Sequence, residues 1–268
     1  MTLEQNKTIL LGMPIHNREW ILPIFLEKVS QIDYPKELIT IYFLVNNSVD
    51  DSFNIVKKFK DENKSLYKEI IIEEVNNVNK IIDTRENDLR MKHTFEWLSH
   101  LRNIILRKTV KLNCDYLFSL DSDILVEPDI LNNLLSSEKN ICSSIIYNGF
   151  ELHQDRPFAF PNILNNINGE WKHIVNYRTK FPYKNEPNKI IEVGMTGAVS
   201  IISKEVCKVA KYEKHFIGED CAFSESALKY GYKSYCNISQ LSHHIMNKEG
   251  LDKWLNGELY FWFDIDKK

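Results

Sequence analysis

Short apolar segments alternate with segments of helical spacing along the first half of the chain. Four apolar runs are predicted as strands: residues 8–13, 39–45, 69–75 and 116–120. Apolar residues recur at helical spacing in three segments: residues 18–29, the segment that follows a polar cluster ending at Ser52, and residues 91–110. Pro14 is expected to end the first strand. Alternation of this kind predicts an α/β fold with a mainly parallel sheet covered by helices.

The pattern is less regular in the second half. Residues 141–147 and 198–202 are predicted as strands, and residues 222–229 as a helix. Residues 150–187 are rich in Asn, Pro and aromatic residues without a clear period, which favours loops and short elements. The chain has no internal repeat and no Pro/Gly/Ser linker, so we expect a single domain.

Composition excludes several classes of protein. The 268 residues include 34 Lys+Arg and 37 Asp+Glu, a net charge of −3 that makes nucleic-acid binding by bulk charge unlikely. Five scattered cysteines without a C-x-x-C pair predict reduced, mostly buried thiols. No apolar run approaches the roughly 18 residues of a membrane span, and the N-terminus lacks the pattern of a signal peptide, so a cytoplasmic location is expected.

The tripeptide Asp121-Ser122-Asp123 directly follows the predicted strand 116–120. Residues i and i+2 of an extended segment face the same side, so the two carboxylates are expected to converge beyond the strand's carboxyl end, where open α/β sheets bind ligands. Two carboxylates suit Mg²⁺ or Mn²⁺ bound together with substrate phosphates. The alternative is a solvated turn before a helix at Asp129, because so short a motif is often a chance match.

Two later segments carry further candidate groups. Glu219 and Asp220 open the predicted helix of residues 222–229, where acidic side chains are common because they complement the helix dipole. A carboxylate held ionised there is also a candidate general base. His243 and His244 follow, and a neutral imidazole can add a nitrogen ligand to carboxylate-bound Mn²⁺, although a surface histidine is more often inert.

Taken together, these segments resemble the GT-A glycosyltransferases, most closely the family 2-like group that uses nucleotide-diphosphate sugars. The matching segments are MPIHNRE (13–19), LRNII (101–105), YLFSLDSDILVEPDILNNLL (116–135), GMTGAVSIISKEV (194–206) and HFIGEDCAFSESALKYGYKSY (215–235). They are similar to the group's first-strand motif, R-N helix, D-x-D strand, sugar-site segment and E-D helix, in that order. The resemblance extends over residues 7–244.

The resemblance implies a single GT-A domain with a nucleotide-binding half (about 7–125), an acceptor half (about 126–245) and a C-terminal aromatic tail (246–268). It implies metal-dependent transfer of a sugar from a nucleotide-diphosphate donor, expected to be a UDP-sugar, to an acceptor nucleophile, with inversion. The cofactor would be Mn²⁺ or Mg²⁺. The acceptor is left open among a glycan, a lipid and a protein.

The resemblance also implies roles for particular residues. Asp220 would be the general base, and Glu219 would support it or contact the acceptor. The metal ligands would be Asp121, Asp123 and His243, with His244 as the less favoured histidine. Contacts to the nucleotide-sugar are implied for nine residues: Pro14, His16, Asn17, Arg18, Asn47, Arg102, Asp121, Ser122 and Gly197.

The sequence departs from the group in two places, and two other functions compete. Asn46-Asn47 stands where the group usually has paired aspartates, and an Asn carbonyl still accepts a hydrogen bond from the base. The Q-x-x-R-W motif of processive members is absent, so synthesis of a long polymer is not expected. A nucleotidyltransferase is disfavoured because the loop 12–19 has a single Gly. A non-catalytic nucleotide-sugar-binding module is disfavoured because Glu219 and Asp220 are retained.

Overall fold

The computed structural model describes residues 7–77, 94–150, 158–174 and 189–258. Its helices are α1 (Leu22–Ser30), α2 (Ser52–Asn63), α3 (Phe95–Lys111), α4 (Ile130–Leu135), α5 (Lys204–Val209), α6 (Glu219–Leu228) and α7 (Lys248–Leu255), with a 3₁₀ turn at Lys36–Leu38. Its strands are β1 (Ile9–Ile15), β2 (Ile39–Val45), β3 (Glu69–Glu74), β4 (Tyr116–Leu120), β5 (Ile124–Leu125), β6 (Ile141–Ile145), β7 (Tyr147–Phe150), β8 (Phe158–Pro161), β9 (Ile163–Ile167), β10 (Glu170–His173), β11 (Ile190–Val193), β12 (Met195–Thr196), β13 (Val199–Ser203), β14 (Ser234–Leu241) and β15 (His243–His244).

Eight of the described strands form the central sheet, in the order β11-β14-β6-β13-β4-β1-β2-β3. β1 lies between β2 and β4 and is parallel to both, β2 is parallel to β3, and β6 is parallel to β14. β13 runs antiparallel to β4 and β6, and β11 antiparallel to β14. The predicted mainly parallel sheet flanked by helices is therefore confirmed.

Two apolar cores cover the two faces of this sheet. Alternate residues of β1 point to opposite faces, so Leu11 packs in the core that contains α1, whereas Leu10 packs with α3. Helix α3 lies very close to the sheet at Gly12, where a Cβ atom would overlap the Ile105 side chain. This close approach brings Arg102, one turn earlier on α3, near the carboxyl end of β4.

The first strand runs further than predicted, through Pro14 to Ile15. Pairing of β1 with β4 stops at Gly12, although pairing with β2 continues to Ile15. The carbonyl of Pro14 accepts a hydrogen bond from Ser122 Oγ at 3.0 Å, just beyond the end of β4. Proline is tolerated here because no ladder bond to β4 is lost.

The second half is also more ordered than its sequence suggests. The predicted strand 141–147 is divided into β6 and β7, and the predicted helix 222–229 begins three residues earlier, at Glu219. Within the region predicted as loops, the described residues form the antiparallel pairs β7/β8 and β9/β10. The aromatic patch 260–263 of the expected tail lies outside the described residues.

All five cysteines are free and buried, as predicted. Burial raises the pKa of every one of them, to about 11 for Cys142. They are distributed over the second half of the sheet and its helices: Cys114, Cys142, Cys207, Cys221 and Cys236. Among the described helices, none has the length and apolar character needed to cross a membrane.

Candidate active site

Polar side chains gather where β1, β2 and β4 end. These strands are parallel, so their carboxyl ends meet at one edge of the sheet, the usual position of ligand sites in α/β folds. The segment 16–18 follows β1, Asn46 and Asn47 follow β2, and the segment 121–123 follows β4. The start of α6 and the loop before β13 reach the same edge. The sequence-predicted residues thus come from both halves of the chain.

Arg102 is the centre of a buried charge cluster. Its side chain lies inside the protein, and the whole residue is 3% exposed. Nε donates to Glu219 Oε1 at 3.1 Å, and Nη2 donates to Asp121 Oδ2 at 2.9 Å. Burial disfavours the charged guanidinium, but Asp121, Asp220 and Glu219 outweigh it and hold the pKa of Arg102 well above its ordinary value. The cluster contains one cation and three carboxyl groups.

Asp220 completes this cluster on the α6 side. Its carboxylate occupies the space that a Cβ atom of Gly197 would fill, so glycine is required at that position. Burial raises the pKa of Asp220 to about 8; Arg102 opposes this shift, whereas Glu219 and Asp121 reinforce it. The helix dipole was expected to keep Asp220 ionised. Burial and the neighbouring carboxyl groups have the larger effect on its pKa and favour the protonated form.

Asp123, two residues after Asp121, lies in a different environment. Its Oδ2 is 3.1 Å from Arg18 Nη2, and its Oδ1 is 3.8 Å from His244 Nε2. Burial alone would raise the pKa of Asp123, but His244 and Arg18 outweigh it and hold that pKa well below its ordinary value. Asp123 is therefore ionised at neutral pH.

The two histidines of β15 lie on opposite sides of a small ribbon. β15 pairs antiparallel with β5, and successive residues of a strand face opposite ways. His244 points toward Asp123, whereas His243 Nε2 lies 3.5 Å from Glu127 Oε1. His243 also lines a cavity of about 530 Å³ next to Glu127 and Asp129. The geometry therefore favours His244, not His243, as the histidine of the D-x-D site.

The D-x-D segment itself is a turn and not an extended strand. The N–H of Ile124 donates to the C=O of Asp121 at 3.1 Å. The sequence prediction treated residues 121–123 as an extended strand, in which both carboxylates face the same side. That premise is wrong, because the turn decides where each carboxylate lies. Ser122 was expected at the donor, but its hydroxyl is buried and bonds to the Pro14 carbonyl. Ser122 and Pro14 thus join β1 to the motif.

The loop after β1 is held by its own hydrogen bonds. Asn17 has a left-handed backbone (φ 48°), and its Oδ1 accepts the N–H of Val49 at 2.9 Å. His16 Nδ1 lies 2.8 Å from the Asn46 carbonyl, to which it donates. Arg18 Nη1 donates to the His16 carbonyl at 2.9 Å while Nη2 reaches Asp123. The loop therefore carries Arg18 to the D-x-D turn.

The Asn46-Asn47 pair is already bonded within the protein. Asn46 Nδ2 donates to the Ile15 carbonyl at 2.9 Å, and its Oδ1 accepts Trp97 Nε1–H at 3.3 Å. Asn47 bonds in both directions with the backbone of Asn77, at 3.0 and 2.8 Å. Asn47 thus extends the pairing of β2 with β3, and no sequence signal indicates this bond or the role of Trp97.

The residues at this edge fit a hard divalent cation. Asp121 Oδ1 is buried and accepts no hydrogen bond, although the Arg102 guanidinium lies close to it. Within the described ranges, no three metal-binding side chains form a ready-made cluster. Mg²⁺ and Mn²⁺ shared with a substrate's phosphates need only one or two protein carboxylates, which Asp121 and Asp123 can supply.

The fold and this arrangement of strand ends define a class of protein, the GT-A glycosyltransferases. A mannosyltransferase from Pyrobaculum calidifontis, solved with GDP-Man and Mn²⁺, aligns with a TM-score of 0.58 and 13% identity over 92% of this chain and 59% of its own. GalNAc-T7, solved with UDP, GalNAc and Mn²⁺, aligns with a TM-score of 0.58 and 15% identity over 90% and 44%. At these identities the likeness shows the fold alone.

Within that class, the family is shown by sequence. The family model described as glycosyltransferase family 25, N-terminal domain, matches residues 6–150, more than half of the chain, and the chain belongs to this family. A glycosyltransferase 25 family member from Drosophila melanogaster is 31% identical over 130 residues, which are 46% of this chain and 20% of that protein. The matched segment spans about a fifth of the length of this relative and of two others, a procollagen galactosyltransferase 1-A from Xenopus laevis and a glycosyltransferase 25 family member from Drosophila pseudoobscura pseudoobscura.

Proposed function

We propose that this chain is a metal-dependent glycosyltransferase that moves a sugar from a UDP-sugar to an acceptor nucleophile with inversion of the anomeric centre. The observation that carries the proposal is the meeting of Asp121 and Asp123 with the acidic start of α6 at one edge of a GT-A sheet. Family membership supports it, as does the presence of Mn²⁺ and a nucleotide or nucleotide-sugar in solved proteins of the same fold.

Asp121 and Asp123 would hold the cation, with His244 beside Asp123 as a third ligand. When bound, such a cation acts as a Lewis acid that offsets the charge of the leaving diphosphate. Arg18 Nη2 lies 3.1 Å from Asp123, and 28% of the Arg18 side chain is open to solvent. It can therefore donate a charge-assisted hydrogen bond to a donor phosphate. Together these residues orient the diphosphate as the leaving group.

The loop after β1 and the end of β2 would bind the nucleoside. Pro14, His16 and Asn17 lie at the end of β1 and Asn47 at the end of β2, where hydrogen bonds to neighbouring backbone hold His16, Asn17 and Asn47 in place. Asn47 Oδ1 already accepts the N–H of Asn77, but a carbonyl oxygen has a second lone pair for the N–H of a base. Uracil, which carries one such N–H, suits this acceptor.

Asp220 would act as the general base. The acceptor oxygen attacks the anomeric carbon while the bond to the diphosphate breaks on the opposite face, and the acceptor's proton passes to the Asp220 carboxylate. A base is most effective when its pKa lies near the working pH, and burial raises the pKa of Asp220 to about 8. Gly197 leaves the space in which this carboxylate sits. One displacement of this kind inverts the configuration.

The proposal is tested with a thermal-shift panel of UDP- and GDP-sugars in Mn²⁺ and in EDTA. A ligand at 100 times its Kd stabilises a protein by about 2.7 kcal/mol, so the matching donor should raise Tm clearly in Mn²⁺ only. NMR of the transfer or hydrolysis product from an α-linked donor should show the β configuration. Binding of nucleoside triphosphates with release of pyrophosphate would instead support a nucleotidyltransferase and contradict the proposal.

A further inference from the structure

Arg102 has a position that the sequence did not predict. By resemblance it was expected to contact a donor phosphate, yet it is almost fully buried, and it bonds to two carboxylates of the chain itself. One of these, Asp121, ends β4; the other, Glu219, begins α6. The guanidinium is therefore the direct link between the D-x-D turn and the helix that carries the candidate base.

We propose that Arg102 is a positioning residue, which orients Asp121 for the donor's cation and ties it to Glu219, and that it does not contact the donor. This inference rests on the proposed function, because it presupposes that Asp121 is a metal ligand. It also gives Glu219 a role: its carboxylate orients the guanidinium and does not meet the acceptor. Asp220, its neighbour, is then the group of α6 that faces the reaction.

The surroundings of Arg102 keep it from turning outward. Asn103, the next residue, bonds in both directions with the backbone of Tyr212, at 2.8 and 2.9 Å. The Tyr212 ring stacks on Phe223 of α6 with centroids 4.4 Å apart, and the Arg102 guanidinium lies 5.7 Å from the Tyr212 centroid. Helix α3 therefore contacts both α6 and the segment that precedes it. The Arg102 side chain is enclosed between α3 and these two elements.

The contacts of Asp121 explain what such a link achieves. Its N–H donates to the Ala198 carbonyl at 3.0 Å, and its Oδ2 accepts from Arg102, so backbone and side chain are both fixed. Oδ1 is also buried and lies 2.9 Å from Arg102 Nη2, without the geometry of a hydrogen bond. Groups that orient a metal ligand in this way typically change metal affinity by about 10- to 100-fold when they are removed. Arginine suits the task because its planar fork offers several fixed N–H donors, whereas lysine has a single nitrogen.

The test compares Arg102→Lys with Arg107→Lys, which alters an exposed arginine of the same helix. Mn²⁺ is titrated into each protein with UDP present, and binding is followed by calorimetry. We expect about 10- to 100-fold weaker Mn²⁺ binding for Arg102→Lys and no change for Arg107→Lys. Unchanged Mn²⁺ affinity in a folded Arg102→Lys protein would overturn the inference.

A double-mutant cycle separates positioning from a phosphate contact. UDP affinity is measured for Arg102→Lys, Asp121→Asn and the double variant, in Mn²⁺ and in EDTA. If Arg102 acts through Asp121, its substitution has no further effect in the Asp121→Asn background and none in EDTA. A loss of UDP affinity that persists in both conditions would mean direct phosphate binding and would overturn the inference.

Glu219→Gln provides a second test in case the Arg102→Lys protein does not fold. This variant keeps Arg102 and the size of its partner but removes one charge, and we expect weaker Mn²⁺ binding because a neutral amide oxygen holds the guanidinium at Nε less strongly than a carboxylate does. Unchanged Mn²⁺ affinity in Glu219→Gln would also overturn the inference. Wild-type protein that binds neither Mn²⁺ nor UDP would contradict the proposed function itself. Failure of the proposed function can thus be distinguished from failure of the inference about Arg102.

Discussion

Asp121 and Asp123 are two residues apart, yet they lie in opposite environments. Asp121 belongs to an enclosed cluster in which one arginine faces three carboxyl groups. Asp123 is balanced by Arg18, whose side chain is partly open to solvent, and has His244 beside it. The enclosed cluster has an excess of negative charge that adds to the effect of burial in raising the pKa of Asp220, whereas His244 and Arg18 hold the pKa of Asp123 down. A divalent cation shared by Asp121 and Asp123, as proposed, would therefore gain most of its electrostatic attraction from the Asp121 side.

The largest expected effect comes from removing a carboxylate of the D-x-D turn. Asp123→Ala should abolish Mn²⁺-dependent donor binding and turnover, because it removes one of the two carboxylates that the proposal assigns to the cation. Unfolding followed by circular dichroism checks that the fold is retained. Wild-type turnover that continues in excess EDTA would contradict the metal requirement on both sides of the comparison.

The second effect concerns the base in the enclosed cluster. Asp220→Asn should lower kcat by about 10²- to 10⁴-fold, the usual contribution of a general base, while donor affinity barely changes. Steady-state kinetics with UDP binding measured in parallel checks both numbers. Undiminished kcat, or a product with retained configuration, would leave Glu219 and Asp220 as an ordinary acidic helix start.

The third effect compares the two adjacent histidines. His244→Ala should weaken Mn²⁺ binding by about tenfold or more, since His244 faces Asp123, and loss of a ligand costs at least as much as loss of a supporting group. His243→Ala is the matched control, because that ring lies beside Glu127 on the other side of the ribbon. Calorimetry that finds the larger loss in His243→Ala would reverse the assignment.

The smallest effect is on stability. The folded pKa of Asp220 is raised to about 8 from an ordinary value near 4, so folded protein binds more protons than unfolded protein across this window. The group's contribution to stability is thus present below pH 4 and is lost as pH rises through 8. Asp220→Asn should therefore raise Tm relative to wild type by more at pH 8 than at pH 5, because the cost of ionising buried Asp220 grows as pH rises from 4 to 8. An equal difference in Tm between the variant and the wild type at the two pH values would contradict the raised pKa of Asp220.

The sequence predicts the regular half of this fold well because hydrophobic periodicity decides it. The bounds of β2 and β4 match the predictions, and the position of Asp121 to Asp123 at a strand end follows from them. What sequence cannot supply is the direction of a side chain after a strand ends. Arg102 turns inward because α6 offers Glu219, 117 residues away, and no local pattern encodes that contact.

The same limit applies at Asn47 and in the second half of the chain. Asn47 bonds to the backbone of Asn77, a partner that only the pairing of β2 with β3 brings near. The strands of the pairs β7/β8 and β9/β10 are only four or five residues long, and β9 and β10 are partly exposed, so hydrophobic spacing has little to detect there. Short antiparallel hairpins of this kind depend on contacts with the rest of the sheet, which hydrophobic spacing does not record.

The five buried cysteines can report local unfolding of the protein through their reaction with thiol reagents. Burial keeps each thiol protonated and away from solvent, and the thiolate is the reactive form, so a thiol reagent can label the protein only where it opens. Cys142 and Cys236 lie in the sheet, Cys207 on α5 and Cys221 on α6 beside the candidate base. Labelling kinetics resolved by mass spectrometry would therefore rank the local opening of these elements without any engineered probe.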